Sequence, residues 1–203
     1  MAVNVVHTEI GPEFSTPPAD PIPLLRRWSE LAAERGVREP GAIALATVAA
    51  DGRPSSRMIQ LSGITDRGLV FATHAGSRKG REIEATARCS GVLYWRETNQ
   101  QITFGGTVED AGDSVADALW TRRSAAANAM SVATRQSEPL ADEEELLARA
   151  RSLGSPLARP GTWVAYELVL TEVEFWQSSP DGLYRRLRFH LAGPGWTTVR
   201  LQP

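Results

Sequence analysis

Residues 42–63 read Ala42-Ile43-Ala44-Leu45-Ala46-Thr47-Val48-Ala49-Ala50-Asp51-Gly52-Arg53-Pro54-Ser55-Ser56-Arg57-Met58-Ile59-Gln60-Leu61-Ser62-Gly63. A short apolar run, Ala42 to Ala49, precedes Asp51-Gly52, and a second strand-like run starts at Pro54. Asp-Gly between two such runs signals a hairpin, because glycine supplies the positive φ that the turn needs. Outward from this pair, Gly68 to Thr73 reads as strand through Leu69, Val70 and Phe71. Gly91–Trp95 and Gln100–Val108 follow, then the long pattern Trp163–Trp176. Leu183–Leu191 and Trp196–Leu201 form a last hairpin around Gly193-Pro194-Gly195. Upstream, Leu24, Leu25, Trp28, Leu31 and Ala32 recur at helical spacing between Asp20 and Gly36. Ser77 is placed to cap a helix reaching about Ala87. Helical patterns return over Ser114–Arg123 and Asp142–Leu153. Hairpin-linked strands with helices between some of them predict an α+β class, mainly β, with a closed or nearly closed antiparallel barrel. No linker interrupts residues 21–203, which read as one domain. Residues 1–20, with Pro12, Pro17 and Pro18, read as an extended, flexible N-terminal arm.

The chain has 203 residues, enough for one domain with a real core, and 42% of them are hydrophobic. A net charge of −2 gives no basic field for nucleic acid. No apolar run approaches the ~20 residues of a membrane span, and no signal peptide is visible. The single cysteine, Cys89, excludes an internal disulfide and a cysteine zinc site. It reads as a packed small side chain, and a reducing cytoplasm is the expected location.

Three cations, Arg78, Lys79 and Arg81, fall in the first turns of the helix capped by Ser77. Cations at the positive end of a helix dipole are unfavourable by ~0.3–1 kcal/mol each unless an anion is present. The cluster is either a phosphate site or a solvated basic patch. Arg57 sits in a strand beside the apolar Met58, Ile59 and Leu61 and needs a partner, as a second phosphate clamp or in an ion pair. Gln101, Gln136 and Ser137 are neutral groups of the kind that meet the polar edge of a flavin. His7, His74 and His190 are too scattered for a metal site, and no catalytic base is identified. No glycine-rich nucleotide loop follows a strand and opens a helix.

From about residue 40 onward the sequence resembles the pyridoxamine-phosphate-oxidase family. The matching pieces are Gly52-Arg53-Pro54-Ser55-Ser56-Arg57-Met58, Ser77-Arg78-Lys79-Gly80-Arg81-Glu82, Gln136-Ser137, Glu174-Phe175-Trp176-Gln177 and Arg186-Leu187-Arg188. The resemblance implies a split antiparallel β-barrel with flanking helices, working as a homodimer with FMN at the subunit interface. It implies that Arg57, Met58, Ile59, Gln60, Leu61, Ser62, Thr73, His74, Ser77, Arg78 and Lys79 border FMN. Gln101, Gln136, Ser137, Trp176 and Arg186 join them, some from the other subunit.

The substrate end departs from the vitamin-B6 oxidases. Where they hold a phosphate with lysine, tyrosine, arginine and serine, this chain has Ser62, Leu119, Arg123 and Ala127. Their Arg-Leu-His segment is Gly182-Leu183-Tyr184 here. Thr73-His74-Ala75-Gly76-Ser77, Val92-Leu93-Tyr94-Trp95-Arg96-Glu97-Thr98 and the Arg200-Leu201-Gln202-Pro203 end look like the flavin oxidases of phenazine biosynthesis. That resemblance implies a flat tricyclic substrate, a reduced phenazine carboxylate, with O2 as acceptor. Arg123 and Arg185 are either carboxylate ligands or surface arginines, and Tyr184 stands beside them. The alternatives are a pyridoxine 5′-phosphate oxidase with altered contacts and a flavin- or haem-binding split barrel without turnover.

Overall fold

The computed structural model describes residues 9–203. The hairpin read from Asp51-Gly52 joins β1 (Ala42–Val48) to β2 (Pro54–Gln60), antiparallel with Thr47 opposite Ser55. Gly52 takes a φ of 84°, and its N–H donates to Ala49 O at 2.9 Å. The other strands are β3 (Gly63–Ile64), β4 (Gly68–His74), β5 (Arg88–Trp95), β6 (Gln100–Asp110), β7 (Trp163–Gln177), β8 (Arg185–Ala192) and β9 (Gly195–Leu201). They form one antiparallel sheet in the order β2-β1-β5-β6-β7-β4-β3, with β8 on β7 and β9 on β8.

Strands β2 and β3 stand at opposite ends of that order, yet only Leu61 and Ser62 separate them. The Leu61 N–H donates to Gly41 O and the Ser62 N–H to Val70 O, both at 2.8 Å. The sheet therefore curls until its ends meet at this link. Closure is through the covalent chain, so the barrel is nearly closed. The fifteen residues of β7 make the split. Trp163–Val169 pair with β4, and Glu172–Gln177 pair with β8. Thr171 is skipped in the β6–β7 register between Gly105 and Gly106, a bulge that bends the strand. A Cβ on Gly106 would lie 1.9 Å from Val169 O, so only glycine fits this crossing.

Inward-facing Ile43, Leu45, Leu93, Ile102, Phe175, Leu187 and Phe189 fill the core at 1% exposure or less. Helix α1 (Pro21–Glu34) closes one end, its Asp20 cap accepting from Ile22 N at 2.8 Å. Trp28 packs edge-on against Phe175 at 5.1 Å and lies 6.1 Å from Phe14 and 6.5 Å from Trp95. Its indole N–H donates to Glu13 Oε1 at 2.5 Å. Within the expected arm, residues 1–8 lie outside the described residues. From Pro12 the chain turns through a short 3-10 helix that buries Glu13 and Phe14.

Helix α2 (Arg78–Thr86) follows β4, and α3 (Asp113–Thr121) packs Ala116 and Trp120 on Trp163 and Ala165. Helix α4 (Ala125–Ala133) was not expected, because Ala125-Ala126-Ala127-Asn128-Ala129 shows no apolar stripe. Ser124 caps it, accepting from Ala127 N at 3.2 Å. Arg149 of α5 (Glu143–Ser152) ties the last two helices by donating to Ala133 O at 2.6 Å. Among the described residues no helix is long and apolar enough to cross a membrane. Cys89 is buried, which pushes its thiol up to about 12.

Trp28→Ala removes the ring on which the helix and the sheet meet. It should cost about 3–5 kcal/mol of stability, read from the urea midpoint at unchanged m. A loss below about 1 kcal/mol would show that the core collapses around the gap.

Candidate active site

A cleft of about 880 Å3 opens between β2, the end of β4, the start of α2, the end of α3 and the segment after α4. Its basic end is built by α2. Ser77 is fully buried, and its Oγ accepts from Gly80 N at 3.2 Å. Gly80 lets this first turn press on the preceding turn: a Cβ there would lie 2.1 Å from Ala75 O. Lys79 is consequently buried. Its Nζ donates to Thr73 Oγ1 at 2.9 Å, Gln136 Oε1 at 3.1 Å and Ser77 Oγ at 3.4 Å. All three acceptors are neutral. Burial, and then the nearby Arg57 cation, push the ammonium down to about 8.

Beside it, Arg57 and Arg78 share the carboxylate of Glu82. Arg78 Nε donates to Oε1 at 2.9 Å, and an Arg57 terminal nitrogen to Oε2 at 3.2 Å. Thr47 and Ser55 also donate to Oε2. Burial alone would raise the pKa of Glu82. The hydrogen bonds from Ser55, Thr47, Arg78 and Arg57 outweigh it and hold the group at about 2. The Arg78 N–H donates to Ser137 Oγ at 3.1 Å, which brings the Gln136-Ser137 segment to the helix start. Three cations, a helix N-terminus and two neutral polar side chains suit a phosphate dianion.

At the other end, the Arg123 guanidinium lies 5.1 Å from the Trp163 ring and 5.6 Å from the Trp120 ring. Its Nε donates to Asn128 Oδ1 at 2.9 Å, and one terminal nitrogen to Ser131 Oγ at 2.8 Å and Ala127 O at 3.0 Å. It has no carboxylate partner among the described residues. His74 lies between the two basic ends. Burial first, then the Arg123 and Lys79 charges, lower its pKa, so the ring is neutral at neutral pH. Its Nε2 is buried without a hydrogen-bond partner. Among the described residues, no three His, Cys, Asp or Glu side chains group as metal ligands.

The family model described as pyridoxamine 5′-phosphate oxidase matches residues 30–155. A second, described as the pyridoxine 5′-phosphate oxidase C-terminal dimerisation region, matches residues 163–203. The chain belongs to the pyridoxamine 5′-phosphate oxidase family. Dihydrophenazinedicarboxylate synthase of Burkholderia lata is 50% identical over 195 residues, covering 95% of this chain and 92% of that one. Pyridoxine/pyridoxamine 5′-phosphate oxidase of Rubrobacter xylanophilus is 41% identical over 189 residues, covering 91% and 87%. The crystal structure of PhzG from Burkholderia lata in complex with tetrahydrophenazine-1-carboxylic acid superposes with a TM-score of 0.94. That pair is 48% identical, covering 97% of this chain and 99% of the other. The split-barrel fold of the pyridoxamine 5′-phosphate oxidase family, expected from the sequence, is the fold of this chain.

In this family member the expected site residues separate into two groups. Arg57, Met58, Ile59, Gln60 and Ser62 line the cleft from β2 and the link after it. Thr73, His74, Arg78, Lys79, Leu119, Arg123, Gln136 and Ser137 line it from the other elements. Ser77 lies beneath, Leu61 packs on the core, and Ala127 offers its carbonyl to Arg123. The second group lies elsewhere in the chain. Gln101 and Arg186 flank Trp176 in register, and the Tyr184 ring lies 5.2 Å from Trp176. Arg185 pairs with Asp181 at 2.7 Å. Apart from Gln101, this group falls within the dimerisation region. Sequence reasoning missed Arg122 and Ser131 in the cleft, and gave no role to Glu82 or Thr47. The four-residue spacing of Arg78 and Glu82 on one helix was an available signal.

Gly80→Ala should push α2 off the β4 turn and cost about 1–3 kcal/mol, lowering Tm by at least about 2 °C. Gly76→Ala, where nothing lies within 4 Å of an added Cβ, is the control. Equal Tm values would mean that the turn tolerates the added carbon.

Proposed function

We propose that the protein is an FMN-dependent oxidase acting late in phenazine formation. It oxidises dihydro- or tetrahydrophenazine carboxylates with O2 as acceptor, as a homodimer with the flavin at the subunit interface. One observation carries this reading: the cleft gathers Arg57, Arg78 and Lys79 at one end, while its far end offers one aromatic-framed cation, Arg123, beside apolar Leu119. The 50% identity to dihydrophenazinedicarboxylate synthase supports the same substrate class.

Arg57, Arg78, Lys79 and Ser137 would hold the FMN phosphate, with Met58 to Ser62, Thr73, His74 and Gln136 along the rest of the cofactor. FMN supplies the two-electron acceptor and returns the electrons to O2. Arg123, its plane set by Asn128, Ser131 and Ala127, binds and orients a substrate carboxylate. Leu119 and the indoles of Trp120 and Trp163 exclude water from that end. The neutral His74 adds no charge between the two ends. Dihydrophenazines become aromatic on oxidation, so the chain need not supply a strong base. In the proposed dimer, Trp176, Tyr184 and Arg186 complete the cleft of the second copy. Ser62, Leu119 and Ala127 do not hold a substrate phosphate.

Anaerobic mixing with a reduced phenazine carboxylate should bleach the bound flavin, and admitting O2 should restore it with peroxide formed. Pyridoxine 5′-phosphate should be a poor substrate. Flavin that stays oxidised in excess phenazine substrate overturns the assignment, and so does efficient turnover of pyridoxine 5′-phosphate.

Lys79 sets a second expectation. Without ligand its ammonium is pushed down to about 8, and a neighbouring dianion raises it again. Binding then takes up a proton above pH 8, so FMN affinity falls as pH rises, by up to about tenfold per pH unit. Lys79→Arg, whose charge does not titrate there, should flatten the profile between pH 8 and 10. An equally steep profile in this variant would assign the pH dependence to another group.

A further inference from the structure

Glu82 does not line the cleft, yet two of the cleft arginines, Arg57 and Arg78, end on it. It is 6% exposed, on the second turn of α2. Its Oε2 takes hydrogen bonds from β1 through Thr47, and from β2 through Ser55 at 2.5 Å and Arg57 at 3.2 Å. Its Oε1 takes Arg78 Nε at 2.9 Å, within its own helix. One carboxylate thus joins two strands and a helix. We propose that Glu82 is a positioning residue for the flavin phosphate, holding Arg57 and Arg78 as a preformed clamp and setting the pocket's charge to that of a dianion. The proposal rests on the FMN reading above.

Three observations support it. Arg57, Arg78 and Lys79 carry three positive charges and Glu82 one negative, which leaves two, the magnitude of a phosphate dianion. The arginines are 20% and 58% exposed at their side chains, so each reaches the cleft while anchored behind it. Held in place before the ligand arrives, they need little ordering on binding. Glu82 itself is fixed by Thr47, which is fully buried, so the clamp is supported from behind the site.

Glu82→Gln separates this role from two others, because the expected signs differ. Gln keeps the shape, and the pocket gains one positive charge. A countercharge alone would then let FMN bind more tightly. A purely structural tie would weaken FMN and riboflavin, which lacks the phosphate, alike. A positioning residue weakens FMN only.

Full-length wild type, Glu82→Gln and Thr47→Val are titrated with FMN and with riboflavin, followed by flavin fluorescence. Glu82→Gln should raise the FMN Kd by about tenfold or more, with the riboflavin Kd changed less than about twofold. Thr47→Val, which removes one anchor of Glu82 and, behind the cleft, one acceptor of Arg57 at 2.5 Å, should act in the same direction and more weakly. It also serves if Glu82→Gln gives no folded protein. Unchanged or tighter FMN binding in Glu82→Gln overturns the positioning role and leaves the FMN reading standing. Equal losses for both flavins overturn it in the same way. Wild type that binds FMN no more tightly than riboflavin overturns both.

Discussion

Leu61 and Ser62 join two strands that stand at opposite ends of the sheet, and the rest of the molecule accommodates that link. Two residues span roughly 7 Å at most, so the sheet has to curl until β2 lies beside β4. The curl encloses the core that Trp28 caps, and it sets β2 against the start of α2. Arg57 and Arg78, 25 residues from the Glu82 they share and four from it respectively, meet on that account. The bulge at Thr171 bends β7 where it leaves β4 and takes up β8. Barrel geometry and binding site therefore have a common origin.

Electrostatics then divides the cleft. Its basic end concentrates Arg57, Arg78 and Lys79 with one buried counter-charge, and Lys79 gives up part of its basicity to burial and then to the Arg57 cation, its three acceptors being neutral. A neighbouring dianion would offset that cost. At the far end, Arg123 is held by neutral oxygens and two indole rings. A guanidinium so framed is a planar cation in a partly apolar surround. The two ends are chemically distinct, and His74 between them is kept neutral by burial and by both cations.

Legibility in the sequence followed the range of the interactions. Ser77 with Arg78 and Lys79, the Asp51-Gly52 hairpin and the Trp28 helix are local patterns: a cap, a turn glycine and a 3.6-residue period each act within a few residues. They mark these elements wherever the chain places them. Helix α4 escaped because Ala125 to Ala129 carry no amphipathic stripe. Their helix depends on the Ser124 cap and on packing against α5.

By itself the sequence determined the α+β class, the strand hairpins, the cationic helix start and the family pattern, since all of these rest on neighbouring residues or on motifs read in order. Only the tertiary structure decided that Lys79 is buried by Gln136, 57 residues away, and that Glu82 is reached by Thr47 across 35 residues. It also decided that Trp176, Tyr184 and Arg186 stand apart from the cleft. Burial and charge pairing depend on strand register and on how far the sheet curls, and no local pattern carries that information.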